Sequence, residues 1–108
     1  SAVAGNFFET YVVSEIIKTY TNTGLDVRSH FSFYRDNNGK EIDLLIEENG
    51  ILYPVEIKKS SDPGKDALKN FNVLSSLNKK IGTGAVICLS PNCIPVNNSN
   101  ILLPVSVL

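Results

Sequence analysis

The chain of 108 residues carries 10 basic and 11 acidic side chains, a net charge of −1, with 43% hydrophobic residues, two cysteines and one histidine. That length and composition describe one folded domain with a sizeable core, argue against intrinsic disorder and a disulfide framework, and give little support to zinc fingers or Cys/His nucleophile schemes. The near-neutral balance is not that of an autonomous nucleic-acid binder, whose mark is a basic excess on one face. Apolar runs such as Ala85 to Leu89 fall far short of the ~20 residues of a membrane span. With no basic-then-apolar leader visible either, a cytoplasmic domain is expected.

The periodicity predicts a helix from about Asn6 to Tyr20, in which Val12, Val13, Ile16, Ile17 and Tyr20 share one stripe. Glu9 lies on that stripe, where a carboxylate is costly without a cation or hydrogen-bond partner. Thr23-Gly24 supplies the stop. Three strand-like runs follow. Val27 to Arg35 is rich in β-branched and aromatic residues and ends at the Asn37-Asn38-Gly39 turn. In the second run Ile42, Leu44 and Ile46 share one face, and Asp43, Leu45 and Glu47 the other. Asn49-Gly50 predicts a hairpin to the third run, where Ile51, Tyr53, Val55 and Ile57 alternate with Leu52, Pro54, Glu56 and Lys58. Pro54 has no N–H to give a ladder, so its amide side should be unpaired or at a bulge. Ser61-Asp62-Pro63 opens a second amphipathic helix with Ala67, Leu68, Phe71, Leu74 and Leu77 on its inner face. Gly84 to Leu89 reads as a buried parallel strand, Ser90 to Asn100 as a polar loop, and Ile101 to Leu108 as a last extended segment.

Four charged residues sit where charge is expensive. Asp43 interrupts an apolar strand; Glu56 and Lys58, two apart, project side by side from one strand; Glu9 faces inward on the first helix. If the Asn49-Gly50 turn pairs the second and third runs, Asp43 and Glu56 meet at the sheet end away from that turn. Two or three carboxylates converging with one lysine suit a hard divalent cation and its waters. The lysine can then position or deprotonate a water for attack on a phosphoryl group. Each residue alone has a plainer reading: Glu56 and Lys58 as a solvated pair, Glu9 as a first-turn acid complementing the helix dipole, Asp43 as the cap of a distorted strand. Cys88 reads as inert core.

Asp43 followed by Glu56-Ile57-Lys58, with Glu9 on the preceding helix, resembles the PD-(D/E)XK nuclease superfamily. The strings Gly5-Asn6-Phe7-Phe8-Glu9, Tyr34-Arg35-Asp36, Glu41-Ile42-Asp43 and Val55-Glu56-Ile57-Lys58 are similar to one group within it, an uncharacterised domain found C-terminal to AAA-type ATPase modules of bacteria and archaea. The sequence departs from the superfamily pattern in having Ile42, not proline, before Asp43. The resemblance implies a restriction-endonuclease-like α/β fold, a mixed sheet flanked by helices in the order αβββαββ, as one domain over residues 1–108 of a longer ATPase-containing protein. It implies Glu9, Asp43, Glu56 and Lys58 as catalytic residues. It also implies one Mg²⁺ or Mn²⁺ held by Asp43, Glu56, the Ile57 carbonyl and Glu9, with Arg35 and Lys59 as candidates for phosphate contact.

The expected activity is metal-dependent phosphodiester cleavage, with DNA and the upstream ATPase module as partners and no membrane. Two alternatives stand beside it: a silent nucleic-acid or protein interaction module of that ATPase, and a structural domain that packs on it or self-associates through a sheet edge. Gly39-Lys40 is not a phosphate-binding loop, because Tyr34 occupies the upstream glycine position, so no ATP site is expected in this segment.

Overall fold

The computed structural model describes residues 2–22, 24, 30–60, 63, 65–89, 92, 94–97 and 99–107, without the side chains of residues 2–6, 20, 21, 65 and 107. Helix α1 spans Ala2–Asn22, longer at both ends than the apolar stripe predicts. Val12 and Ile16 are buried as expected, and Val13 packs beside them. The Tyr20 side chain, Thr23 of the predicted helix stop and residues 27–29 of the predicted first strand lie outside the described residues, as do Ser61, Asp62, Pro91 and Cys93.

Strands β1 (Phe31–Arg35), β2 (Glu41–Glu48) and β3 (Ile51–Ile57) form a consecutive antiparallel meander, as predicted. Two turns set it. Asp36 accepts the N–H groups of Asn38 and Lys40 through Oδ1 at 2.9 and 3.1 Å, an aspartate turn between β1 and β2. Asn49 and Gly50 both take positive φ, 53° and 77°, the pair a two-residue primed turn requires.

That turn makes Glu48 and Ile51 the closing hydrogen-bonded pair. Alternation then makes Leu45 and Pro54 a non-hydrogen-bonded pair, with the proline nitrogen pointing away from β2. On that other side β3 meets β4 only at Ile51 and Leu52, and β5 only from Val55 onward. Pro54 fills the gap between them, so a central strand tolerates a residue with no donor.

The alternation expected for β2 fails at one place. Phe31 and Ser32 pair with Ile46 and Leu45, whereas Tyr34 and Arg35 pair with Ile42 and Glu41. Phe33 alone therefore opposes two residues, Asp43 and Leu44, and β2 bulges there. Ile42 is thereby turned to the face of Leu45, away from Leu44. The expected Ile42–Leu44–Ile46 face is corrected accordingly: an extra residue reverses every side chain on its far side.

Beyond β3 the predicted α-helix is a 3₁₀ helix, Lys65–Ser76. Its apolar residues explain the tighter winding: Leu68, Phe71 and Leu74 recur every three residues, the period at which a 3₁₀ helix eclipses side chains. The Ser75 and Ser76 hydroxyls donate to the Asn72 and Val73 carbonyls at 2.9 and 2.8 Å, satisfying acceptors at the helix end. Leu77, predicted to lie on the inner face, is outside the helix and exposed.

Strands β4 (Lys80–Ile81) and β5 (Gly84–Cys88) then run parallel to β3. β7 (Asn100–Pro104) runs parallel to β5, and β6 (Ile94–Pro95), within the predicted polar loop, is antiparallel to β7. The sheet order among the described residues is β1-β2-β3-β5-β7-β6, with β4 beside β3.

The result is a mixed α/β fold with the sheet between two helical layers. On one face Val12 and Ile16 of α1 bury Leu44, Val55, Ile57 and Ile87. On the other, Leu74 of the 3₁₀ helix buries Ile42 and Leu45, with Tyr34 and Phe71 beside them. Among the described residues no helix is long and apolar enough to cross a membrane.

Candidate functional site

The regular β2–β3 ladder ends at the Leu44–Val55 pair. One residue further, side chains replace backbone partners. The Asp43 N–H donates to Glu56 Oε1 at 3.3 Å, and the Ile57 N–H donates to Asp43 Oδ2 at 2.8 Å. The bulge at Asp43–Leu44 creates this exchange, because it withdraws the Asp43 backbone from the ladder and aims its carboxyl across to β3. Each carboxylate is thus fixed by a backbone donor of the other's strand.

Val55 and Ile57 face α1, so alternation turns Glu56 and Lys58 toward the opposite layer. Glu56 is 6% exposed, the one charged residue among the buried side chains described. Burial first, then the Asp43 carboxylate beside it, push the Glu56 carboxyl up to about 7, opposed by the Asp43 N–H and by Lys58. When protonated, Glu56 donates a hydrogen bond to the Asp43 carboxylate.

Lys58 Nζ stands 3.8 Å from Glu56 Oε2, and its side chain is 48% exposed. This lysine therefore touches the acid pair at one end and solvent along the rest. Such placement suits a group that must meet a ligand from outside.

Glu9 approaches from α1. Together with Asp43, Tyr34, Arg35 and Glu41 it lines an open pocket of about 240 Å³. Partial burial raises the Glu9 carboxyl above its ordinary range, with Asp43 and Glu41 adding to the rise and Lys58 opposing it. Glu9 is close enough to feel the Asp43 charge, but it does not complete a cluster. Among the described residues no three His, Cys, Asp or Glu side chains gather at metal-holding spacing.

The four predicted residues are therefore brought to one sheet end in unequal ways. Asp43 and Glu56 are in contact, Lys58 borders Glu56, and Glu9 shares a pocket with Asp43 alone of the pair. Ile57, expected to contribute its carbonyl, enters the site through its N–H to Asp43. Arg35 lies in the Glu9 pocket but is held by Glu41, with Nε 3.0 Å from Oε1. Lys59 is exposed.

The donor chemistry of Asp43 and Glu56 fits a hard cation. Two buried or half-buried carboxylates sit side by side, burial and the neighbouring charge hold one of them back from ionising, and a divalent ion would relieve that.

Three residues at the site carry no role in the sequence reading, although Tyr34 and Glu41 fall within its family-like strings. Tyr34 and Glu41 line the acidic pocket, and Lys69 lies beyond Lys58 on the 3₁₀ helix. Only the density of lysines between Lys58 and Lys69 hints at the last of these.

A mixed α/β domain whose sheet end gathers two carboxylates and a lysine is the class of protein these observations define. The chain belongs to the family described as a domain of unknown function, DUF4143, whose family model matches residues 4–108. No curated protein and no solved structure matches it.

Proposed function

We propose that this domain is a nuclease-like module of the PD-(D/E)XK type, a divalent-metal-dependent phosphodiesterase acting on DNA and appended to an AAA-type ATPase. The observation that supports it is the reciprocal clasp of Asp43 and Glu56 at the end of β2 and β3, with Lys58 beside Glu56. The order of α1, an antiparallel meander, a helical crossover and a parallel β5 accords with a restriction-endonuclease-like core.

Asp43 and Glu56 would hold the ion directly, with Glu9 reaching it through water. A bound Mg²⁺ or Mn²⁺ supplies a Lewis acid that offsets negative charge growing on the phosphoryl oxygens. Lys58 Nζ orients the attacking water toward phosphorus while the bond to the leaving sugar oxygen breaks. The exposed stem of Lys58 lets Nζ meet a strand laid across the sheet end without leaving Glu56.

Nicking of supercoiled plasmid in Mn²⁺ is the test. Lys58→Met should reduce the rate on the order of 10²–10⁴-fold, the usual loss for a positioned proton-handling group. Were Lys58 only a surface ion-pair partner, its removal would change stability by no more than ~1 kcal/mol and leave nicking intact.

The near-neutral charge favours a second reading, a silent interaction module of the ATPase. No nicking by the native domain, alone or joined to the remainder of its chain, would select it.

A further inference from the structure

We propose that a pocket between Lys58 and Lys69 receives a second phosphate of the substrate strand, neighbouring the one addressed by the acid pair; this rests on the nuclease-like reading above. The pocket has a volume of about 250 Å³, and its lining includes Lys58, Ser60, Asp66, Ala67 and Lys69.

Two of its walls are independently anchored pieces of chain, and Pro63 also lines it. The turn after β3 is held by Ser60 N–H to the Lys58 carbonyl at 2.9 Å and by Leu89 N–H to the Ser60 carbonyl at 2.7 Å. The opposite wall is the start of the 3₁₀ helix, where Ala67 is buried in the core. Walls fixed on these two sides lower the ordering cost of binding.

Lys58 belongs to both sites. Its ammonium stands 3.8 Å from Glu56, and the same side chain lines the pocket. Consecutive phosphates of a strand are one nucleotide apart, so two sites sharing one lysine suit neighbours in the same strand.

Charge separates this pocket from the one beside Glu9. There Glu9, Glu41 and Asp43 outnumber Arg35, which is itself paired with Glu41, so a polyanion is repelled. Here two lysines face one aspartate, and Lys69 forms no ion pair among the described residues. In sequence, residues 58–69 hold four lysines against two aspartates in a chain that sums to −1, so the rest is net acidic. Among the described residues the pocket lining itself is net basic beside the acid pair. Lysine, as a compact point charge, is suited to a phosphate approached from solvent.

Fluorescence anisotropy with fluorescein-labelled 20-mers, single-stranded and duplex, over 50–200 mM salt in Ca²⁺ tests the assignment. Lys69→Gln should weaken binding roughly 3–10-fold at low salt. It should also make the slope of log K against log salt shallower by about 0.7 for single strands or 0.9 for duplex, one phosphate contact. Lys69→Arg should keep the native slope. Lys79→Gln, whose lysine is paired with Glu47 away from the site, should leave it unchanged. In nicking assays Lys69→Gln should raise KM with little change in kcat.

An unchanged slope in Lys69→Gln, or an equal loss in Lys79→Gln, overturns the pocket while leaving the nuclease reading standing if the native domain still nicks. A native domain that neither binds nor nicks overturns both.

Discussion

Glu56 lies almost wholly out of water beside the Asp43 carboxylate, and both circumstances disfavour its ionised form. Its folded-state value of about 7 exceeds the ordinary 4.5 of the unfolded chain, so between these values the folded protein holds the extra proton. Stability from this group is therefore fully present below about 4.5 and is lost as pH rises toward 7. Glu9, also raised, adds in the same direction. Glu56→Gln, which imitates the protonated acid, should remove most of the decline. In urea unfolding the variant should match the native domain near pH 4.5 and exceed it by about 1–3 kcal/mol at pH 8. A native domain that gains stability from pH 5 to 8 relative to the variant would show that Glu56 ionises freely. The four charged positions were readable because each breaks a local rule of patterning; that Asp43 and Glu56 clasp each other's strand was not, because a side chain replacing a backbone partner leaves no trace in the pattern.

The elements owe their docking to a few close approaches. Gly84 opens β5 directly beneath the Phe71 ring of the 3₁₀ helix. A Cβ on residue 84 would meet Phe71 ring carbons at 2.7 and 3.0 Å and overlap the Asn100 side-chain oxygen. Gly84→Ala should therefore cost about 1–3 kcal/mol, the usual range for forced overpacking. In a Phe71→Leu background the added cost should be smaller, because the branched aliphatic chain can move aside; strict additivity of the two changes would sever the proposed contact. The 3₁₀ winding itself was half visible. Apolar residues three apart fit both a 3₁₀ period and, over two turns, a 3.6 period, and the helix chosen is the one that lays Leu74 on Ile42 and Leu45. The β2 bulge was invisible for a related reason: a pattern of Ile42, Leu44 and Ile46 satisfies a regular strand, and only pairing against Phe33 on β1 exposes the extra residue.

At the scale of the whole molecule, the acid pair is a place where the fold stores repulsion that an external cation would relieve. A ligand that binds the folded state alone stabilises it by mass action, about 2.7 kcal/mol at a hundredfold excess over Kd. Saturating Mn²⁺ should accordingly raise the melting temperature of the native domain by several degrees. The rise should be larger at pH 8 than at pH 5.5, because a protonated Glu56 is a poor ligand. Asp43→Ala should abolish it. Equal shifts in native and variant would mean that the ion binds elsewhere. Residues 58–69 carry more lysines than acids in a chain of net charge −1, so on the proposed reading binding of this domain to DNA should be weak and fall steeply with salt.

Sequence alone determined the antiparallel meander, since Asn49-Gly50 admits the two positive φ values of a tight hairpin and the flanking runs alternate with period two. It also determined the inward stripe of α1 through Val12 and Ile16, and the identity of four charged residues in costly positions. Tertiary structure decided what those residues touch. Whether Asp43 faced Glu56 or turned away depended on one extra residue in β2. Whether Glu9 joined the pair or stood off depended on how α1 packs over Val55 and Ile57. Whether Lys58 looked toward Lys69 depended on which layer the 3₁₀ helix covers. Local pattern records the period of each element; register, bulge and layer arise from contacts between elements, and the site lies where those contacts meet.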